Sequence, residues 1–239
     1  MNFKSVEELQ EKLKQISNKG FIKTHRQGNT GNGKTLEDEM NITENNNPKG
    51  DFKIGKKDVE LKTQRTTAKN RVTLFTKEPV WNRNKHEIVN KTGYIDKKGR
   101  KGLKVILTTK GFNPKKYKLA FKGFWLRKRI AIIHEVEGEV CSFKLGKLLK
   151  IIMDKLDNLL FVESNMKKIN GIEHFHYNKA TYYVSFKRRM FRKMINNGEI
   201  VWEFRLHMNS KTNIRDRGSG FRINEKLIPK LYKSQKVIL

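Results

Sequence analysis

A β-hairpin between residues 51 and 63 is the pattern that most restricts how this chain can fold. Its strands are predicted at 51–54 and 58–63, and a turn at 55–57 joins them. Side chains alternate between the two faces of a sheet, so Glu60 and Lys62 are expected to point the same way. Because neighbouring strands lie about 5 Å apart, Asp51 should come close to both. The hairpin therefore predicts a sheet that carries two carboxylates beside one ammonium group.

Helical and strand patterns alternate along the rest of the chain. Residues 5–19 predict an amphipathic helix, because Ser5 and Glu8 make a capping box ahead of an apolar stripe. Other helices are predicted at 35–42, 143–157, 186–196 and after Asn224; strands at 71–77, 103–109, 117–124, 129–136, 159–163, 181–185 and 200–207; and loops at 44–50, 78–100 and 213–220. This mixture predicts an α+β or mixed α/β fold with a central sheet flanked by helices.

The charge of the chain points to a polyanionic partner. Its 239 residues include 53 Lys and Arg against 24 Asp and Glu, which gives a formal net charge of +29. Basic side chains that neutralise phosphates release condensed counterions, and this release favours binding to nucleic acids. A general bias toward Lys, Asn and Ile explains part of the charge, but arginines also cluster at 127–129, 188–192 and 215–222. Nucleic acid is therefore the expected partner.

Cysteine content and hydropathy restrict the setting in which the chain works. Cys141 is the only cysteine, so the chain has no disulfide framework and no cysteine-based zinc site. The first residues lack the apolar run of a signal peptide, and no stretch approaches the roughly 18 apolar residues of a membrane span. We expect a cytoplasmic protein that does not bind membranes.

Two carboxylates beside a lysine suit the hydrolysis of a phosphodiester. Asp51 and Glu60 can hold Mg²⁺ and so activate a water, which Lys62 can orient or deprotonate. The pattern alone is weak, because lysine-rich strands produce it by chance, and a solvated hairpin with alternating charges is the competing interpretation. Asp58 is an alternative to Asp51, since it shares a face with Glu60, but it lies beside the turn. We predict Asp51 as the second carboxylate.

A glycine-rich segment upstream matches the P-loop pattern of nucleotide hydrolases. Residues 28–35 read G-N-T-G-N-G-K-T. A P-loop needs a buried strand before it and a substantial helix after it, whereas segment 21–26 is short and polar. We interpret the segment as a glycine loop that leads into a helix carrying Glu37.

The segment 215–222, which reads R-D-R-G-S-G-F-R, is the strongest candidate for contact with bases. Arginine can donate two hydrogen bonds to guanine, and glycines let a loop approach a groove closely. A solvated basic turn that contacts only phosphates is the alternative, and the sequence does not separate the two. The candidates for contact with the nucleic-acid backbone are Arg26, Lys77, Arg188 and Arg189.

Several sequence blocks in register resemble the MvaI/BcnI restriction endonucleases, which are relatives of the MutH mismatch-repair nickase. The blocks occur in the same order at 28–38, 50–52, 59–63, 73–77 and 220–224, whereas 80–195 matches poorly. The resemblance implies a PD-(D/E)xK nuclease fold, with a central mixed sheet and two lobes around a DNA cleft. It also implies Mg²⁺-dependent cleavage of short double-stranded DNA sites by a monomer that cuts one strand at a time.

The resemblance assigns roles to residues of the hairpin by position. Asp51 and Glu60 would bind Mg²⁺, together with the carbonyl of Leu61. Lys62 would position the attacking water, and Glu37 would be a supporting acid on the preceding helix.

The resemblance also assigns base recognition to the loop at 215–222. Arg222 is the best-matched position in this loop. Arg215 and Arg217 stand where histidines are expected, so the recognised DNA sequence stays open.

These observations predict a Type II restriction endonuclease accompanied by a cognate DNA methyltransferase. Residues 1–239 would form one endonuclease unit, with a catalytic lobe at about 1–78 and a recognition lobe at about 79–239. The alternatives are a MutH-like DNA-nicking repair endonuclease and a non-catalytic basic protein that binds nucleic acid.

Overall fold

The computed structural model describes residues 2–43, 49–97, 99–124, 128–209 and 213–239, which form two compact units. The first unit consists of residues 1–70, 151–187 and 229–239, and the second of residues 71–150 and 188–228. The chain thus returns to the first unit twice, whereas the sequence predicted a single boundary near residue 78. Most of the polar connector at 44–50, and Arg127 of the 127–129 cluster, lie outside the described residues.

Strands and helices alternate along the chain, which confirms the mixed α+β class. The strands are β1 (Asn2–Phe3), β2 (Ile22–Lys23), β3 (Phe52–Ile54), β4 (Lys57–Arg65), β5 (Val72–Thr76), β6 (Val80–Trp81), β7 (Tyr94–Ile95), β8 (Lys101–Leu107), β9 (Tyr117–Lys122), β10 (Arg129–His134), β11 (Gly138–Lys144), β12 (Asn158–Ile169), β13 (Ile172–Phe186), β14 (Ile200–Met208), β15 (Ile214–Asp216), β16 (Gly220–Ile223) and β17 (Tyr232–Val237). The helices are α1 (Val6–Asn18), α2 (Gly31–Glu39), α3 (Lys85–Thr92), α4 (Leu145–Leu156), α5 (Arg188–Asn196) and a 3₁₀ helix at Glu225–Leu231.

The first unit contains a mixed sheet in the order β1-β3-β4-β12-β13-β17, and β2 also pairs with β13. The pairs β1–β3 and β4–β12 are parallel, and the remaining neighbours are antiparallel. Helices α1 and α2 contribute apolar residues to the core of this unit, among them Leu9, Leu13 and Leu36. The predicted central mixed sheet with flanking helices is therefore confirmed.

Helix α1 forms as its sequence predicts. The Oγ atom of Ser5 accepts a hydrogen bond from the Glu8 N–H at 3.3 Å, which caps the first turn. The chain leaves the helix through Gly20, whose φ of 68° lies in the left-handed region that favours glycine.

The predicted hairpin is formed by β3 and β4. Phe52 pairs with Val59 and Ile54 with Lys57, so only the start of β4 is covered by β3. Beyond Val59, β4 continues to Arg65 and pairs in parallel with β12. The second strand of the hairpin is therefore a central strand of the sheet, which accounts for the burial of Glu60.

The second unit contains two antiparallel sheets. One has the order β6-β11-β10-β9, and the other has the order β5-β16-β14-β8-β7 with β15 added to β14. Its core is rich in aromatic rings: the centroid of Trp202 lies 4.7 Å from that of Phe143 and 5.0 Å from that of Phe221. Offset and edge contacts of this kind stabilise aromatic clusters beyond the area they bury.

Helix α3 occupies part of the segment 78–100, for which the prediction of an extended loop is wrong. The side chain of Asn84 accepts hydrogen bonds from the N–H groups of His86 and Glu87, and Ile88 and Val89 are buried. The helix was not predicted because it is short, has only one buried face and is surrounded by turn residues.

Several other boundaries differ from the predictions. Helix α2 begins at Gly31 rather than at 35, and β11 replaces the predicted start of the helix at 143. The segment 213–220 includes the strand β15 rather than loop alone. Within the described residues, no helix combines the length and apolar character of a membrane span.

Candidate active site

Asp51 is positioned by a close contact between the backbones of Gly50 and β4. A Cβ atom on Gly50 would lie 2.6 Å from the carbonyl carbon and oxygen of Val59, so only glycine fits. The next residue, Asp51, places its Oδ2 atom 2.7 Å from the Leu61 nitrogen and accepts a hydrogen bond from it. The Leu61 carbonyl leaves the strand at this same edge, because the N–H and C=O of one strand residue point the same way.

Glu60 and Lys62 share one face of β4, which confirms the period-two prediction. The Nζ atom of Lys62 donates a hydrogen bond to Oε1 of Glu60. Glu60 is only 1 % exposed, so its carboxylate is removed from water. Such a group needs nearby positive charge or hydrogen bonds to stay ionised.

The second oxygen of Glu60 has a different environment. Oε2 is buried and accepts no hydrogen bond among the described residues, although Nζ of Lys155 on α4 lies 3.5 Å away. The hydroxyl of Tyr232 is also buried without a hydrogen-bond partner in the described part of the chain. Burial, followed by the charge of Glu60, raises the pKa of Tyr232.

The pKa directions at the hairpin follow from burial and the neighbouring charges. Burial raises the pKa of the Glu60 carboxyl despite the opposing effect of Lys62. Burial would lower the pKa of the Lys62 ammonium, but Glu60, Asp51 and Glu37 outweigh it, so the pKa of Lys62 is raised. The two groups are strongly coupled through their direct hydrogen bond.

A pocket of about 310 Å³ opens beside Lys62. Glu37 lines this pocket from α2. Arg26 and residues of the glycine loop line it as well. The structure therefore brings Glu37 and Arg26 together with the hairpin, and the glycine loop does lead into the helix that carries Glu37. The strand ahead of this loop, β2, runs antiparallel to β13, unlike the parallel strand that precedes a P-loop.

Asp58, the alternative second carboxylate, lies in a different place from Asp51. Its Oδ1 atom is 3.8 Å from the Nζ atom of Lys53, its partner across the hairpin. Its backbone carbonyl accepts a hydrogen bond from the Asn158 side chain. The contact with the 60–62 segment is made by Asp51, which favours Asp51 on geometry.

In the second unit, the segment 215–220 forms a tight turn built on Asp216. Its Oδ1 atom accepts hydrogen bonds from the N–H groups of Gly218 and Ser219, at 2.9 and 2.7 Å. Gly218 has a φ of 90°, which favours glycine. The side chains of Arg215 and Arg217 are exposed on this turn.

Arg222 lies in an environment unlike that of Arg215 and Arg217. Its side chain is 8 % exposed, its Nε lies 2.5 Å from Oε2 of Glu203, and it donates hydrogen bonds to the Gly218 carbonyl and to Thr73. Burial lowers the pKa of the Arg222 guanidinium, and Glu203 opposes that shift. The buried guanidinium of Arg222 is engaged by Glu203 and by the carbonyl of Gly218 in the turn. Contact of Arg222 with a base therefore stays a prediction from the sequence.

Three of the residues predicted to contact the nucleic-acid backbone also belong to the second unit. Lys77 follows β5, and Arg188 and Arg189 begin α5; all three are exposed.

Two groups of residues around these sites were not predicted from the sequence. Lys155 and Tyr232 reach Glu60 from distant segments, and no local pattern marks them. Glu203 and Arg205 could have been found, because they are two residues apart on β14 and therefore share a face. The Arg205 Nε lies 3.0 Å from Oε1 of Glu203.

Comparison with known proteins identifies the family. The model of the MvaI/BcnI restriction endonuclease family matches residues 10–232. Because this match spans most of the 239 residues, the chain belongs to the MvaI/BcnI restriction endonuclease family. Comparison with curated proteins gave no match.

Two solved structures resemble the chain over nearly its full length. Restriction endonuclease MvaI in complex with cognate DNA substrate is 26% identical and has a TM-score of 0.79, with 97% of each chain covered. MvaI in the absence of DNA is 23% identical and has a TM-score of 0.51, with 97% of this chain and 96% of that chain covered; it supports the fold alone. The family and the first structure identify the chain as a Type II site-specific deoxyribonuclease.

Proposed function

We propose that this enzyme hydrolyses double-stranded DNA at a short specific sequence in a Mg²⁺-dependent reaction. The observation that carries the proposal is the hairpin cluster of Asp51, Glu60 and Lys62, which brings two carboxylates and an ammonium together on β4 and its neighbouring segment. Lys62 of this cluster also lines the pocket. The net charge of +29 and the likeness to MvaI with cognate DNA support DNA as the substrate.

The residues of the hairpin fit a hard divalent cation. Mg²⁺ prefers oxygen ligands, and Asp51 and Glu60 offer carboxylates beside the Leu61 carbonyl. The buried Oε2 atom of Glu60, which has no hydrogen-bond partner among the described residues, supports this fit. Within the same residues no group of three or more His, Cys, Asp or Glu side chains is arranged for a metal, so backbone and water oxygens would complete the ligand set. A bound Mg²⁺ would supply a more acidic water and would stabilise charge on the phosphate.

The remaining chemistry belongs to side chains of this chain. Lys62 would orient the attacking water and place positive charge beside the phosphate. Glu60 would fix the Lys62 ammonium through their direct hydrogen bond. Glu37, which lines the same pocket, would act as a supporting acid that helps to orient Lys62 and the water.

Exposed basic side chains would position the DNA. Arg26 at the pocket and Lys77, Arg188 and Arg189 in the second unit would contact backbone phosphates. Arg215 and Arg217 would approach the bases from the turn at 215–220, and Arg222 is the third candidate for base contact. In this account the first unit is the catalytic lobe and the second is the recognition lobe.

We further propose that the enzyme acts in the cytoplasm as a monomer that cuts one strand at a time. A cognate DNA methyltransferase would protect the host sites. Membership of the restriction endonuclease family supports these proposals.

Plasmid cleavage tests the proposal. Purified protein is incubated with supercoiled plasmid and Mg²⁺ or EDTA, and the ends of the products are sequenced. We expect discrete ends with a 5′-phosphate and a 3′-hydroxyl in Mg²⁺ only, and loss of cutting in Lys62→Ala and Glu60→Ala. Persistent nicked circles would instead support a nicking repair enzyme, and binding without any cutting would refute nuclease function.

A further inference from the structure

The two oxygens of the Glu60 carboxylate face different lysines. Lys62 donates to Oε1 from the same strand, whereas Lys155 comes from α4 and its Nζ atom lies 3.5 Å from Oε2. No local sequence pattern connects Lys155 with this site, and Lys155 takes no part in the hydrolysis proposed for Asp51, Glu60 and Lys62.

The contact with Lys155 differs in kind from the contact with Lys62. Glu60 is almost fully buried, so its charge must be compensated within the protein. Oε2 nevertheless accepts no hydrogen bond among the described residues, so Lys155 compensates it by charge alone. The Lys155 side chain is 30% exposed, which allows its ammonium to keep contact with water while it faces the carboxylate.

We propose that Lys155 is a positioning residue that holds Glu60 in the metal-free enzyme and sets the cation concentration at which the site fills. The proposal rests on the proposed function, because it takes Glu60 as a metal ligand. A divalent cation at Oε2 would meet the positive charge of Lys155, so the lysine must give up its contact when the site fills. Lys155 thus stabilises the empty site and opposes its occupation.

The expected effect is a gain in cation affinity when Lys155 loses its charge. An opposite charge within about 4–6 Å of a carboxylate lowers its affinity for a proton by about tenfold or more. A divalent cation is also repelled by the ammonium of Lys155, so its binding should be weakened in the same way. Lys155→Met should therefore bind Mn²⁺ about tenfold more tightly than the wild type. Lys155→Arg keeps the charge and should bind Mn²⁺ as the wild type does.

Direct titration with Mn²⁺ tests this without reference to activity. Free Mn²⁺ is measured by electron paramagnetic resonance in the absence of DNA, for the wild type, Lys155→Met and Lys155→Arg. Lys150→Met is the matched control, because Lys150 is an exposed lysine of the same helix. Lys155→Gln is a second neutral variant, and thermal unfolding selects the variants that are folded.

Tighter Mn²⁺ binding in the neutral variants, with wild-type binding in Lys155→Arg and Lys150→Met, supports the proposal. The gain should disappear in a Glu60→Gln background, which ties it to this carboxylate. Equal or weaker binding by both neutral variants overturns it. If the wild type cleaves DNA while the neutral variants bind Mn²⁺ unchanged, only the role of Lys155 fails. If tighter binding is found in an enzyme that cuts no DNA, the nuclease proposal fails and the role of Lys155 at the cation site stands.

Discussion

Gly50 gives the sharpest structural prediction, because a single methyl group there should disturb both stability and activity. In Gly50→Ala the new Cβ atom would lie 2.6 Å from the Val59 carbonyl carbon and oxygen and 2.7 Å from its nitrogen. Ordinary carbon contacts begin near 3.5 Å. All three atoms belong to the backbone of β4, so no side chain can turn away to relieve the clash.

The separation between Gly50 and β4 must therefore grow by about 1 Å, a shift comparable to inserting a methylene into a packed core, which costs about 1–3 kcal/mol. For a chain of this size each kcal/mol lowers the melting temperature by about 2–4 °C, so we expect a decrease of roughly 4–8 °C for a cost near 2 kcal/mol. The same shift would lengthen the 2.7 Å contact between Asp51 and the Leu61 nitrogen. Misplacement of a catalytic group by about 1 Å costs on the order of a hundredfold in rate.

Calorimetry and single-turnover cleavage measure the two effects. Gly111→Ala is the matched control, because a Cβ atom on Gly111 meets nothing within 4 Å. It should melt and cleave as the wild type does. If Gly50→Ala also behaves like the wild type in both assays, the close contact with Val59 does not position Asp51 and the reasoning is wrong.

Two further predictions concern buried ionisable side chains in the second unit. Glu203→Gln leaves the guanidinium groups of Arg205 and Arg222 without their shared carboxylate. Urea denaturation should therefore show a decrease of about 3–5 kcal/mol in the free energy of unfolding. A decrease below about 1 kcal/mol would contradict this prediction. His134 is buried and its Nδ1 atom accepts backbone N–H groups, and burial lowers its pKa from 6.5. The unfolded chain then binds the proton more readily, so the stabilising contribution of His134 is complete above pH 6.5 and is lost as the pH falls below it. His134→Gln should flatten the decrease in unfolding free energy between about pH 7 and 5.5, and an unchanged slope would exclude His134 as its source.

The hairpin of the candidate site could be predicted from the sequence because its signals are local. Alternation placed Glu60 and Lys62 on one face, and the spacing between strands brought Asp51 toward them. The sequence already favoured Asp51 over Asp58, and the hydrogen bond from the Leu61 N–H to Asp51 favours the same choice on geometry. Helix α1 was equally local, since its cap and apolar stripe lie within one segment.

The surroundings of the hairpin could not be found in this way. Tyr232 begins β17, which joins the sheet through β13, and Lys155 lies on α4 just ahead of β12, the strand that pairs with β4. Such pairing over long sequence distances leaves no mark in a local window. The Asn84 cap of α3 was not predicted, because turn residues surround it in the sequence. Arg222 matched its family pattern, but its burial against Glu203 depends on the neighbouring strand β14.

Single-turnover cleavage by Asp51→Asn and Asp58→Asn tests the proposal that Asp51, together with Glu60 and Lys62, forms the catalytic centre. Both variants make the same chemical change on the same hairpin. We expect Asp51→Asn to cleave bound DNA at least about a hundredfold more slowly than the wild type, because charge stabilisation at the reaction centre is lost. Asp58→Asn should stay within a few-fold of the wild-type rate. Loss of cleavage in Asp58→Asn with retention in Asp51→Asn would show that Asp58, and not Asp51, is the second carboxylate of the catalytic centre.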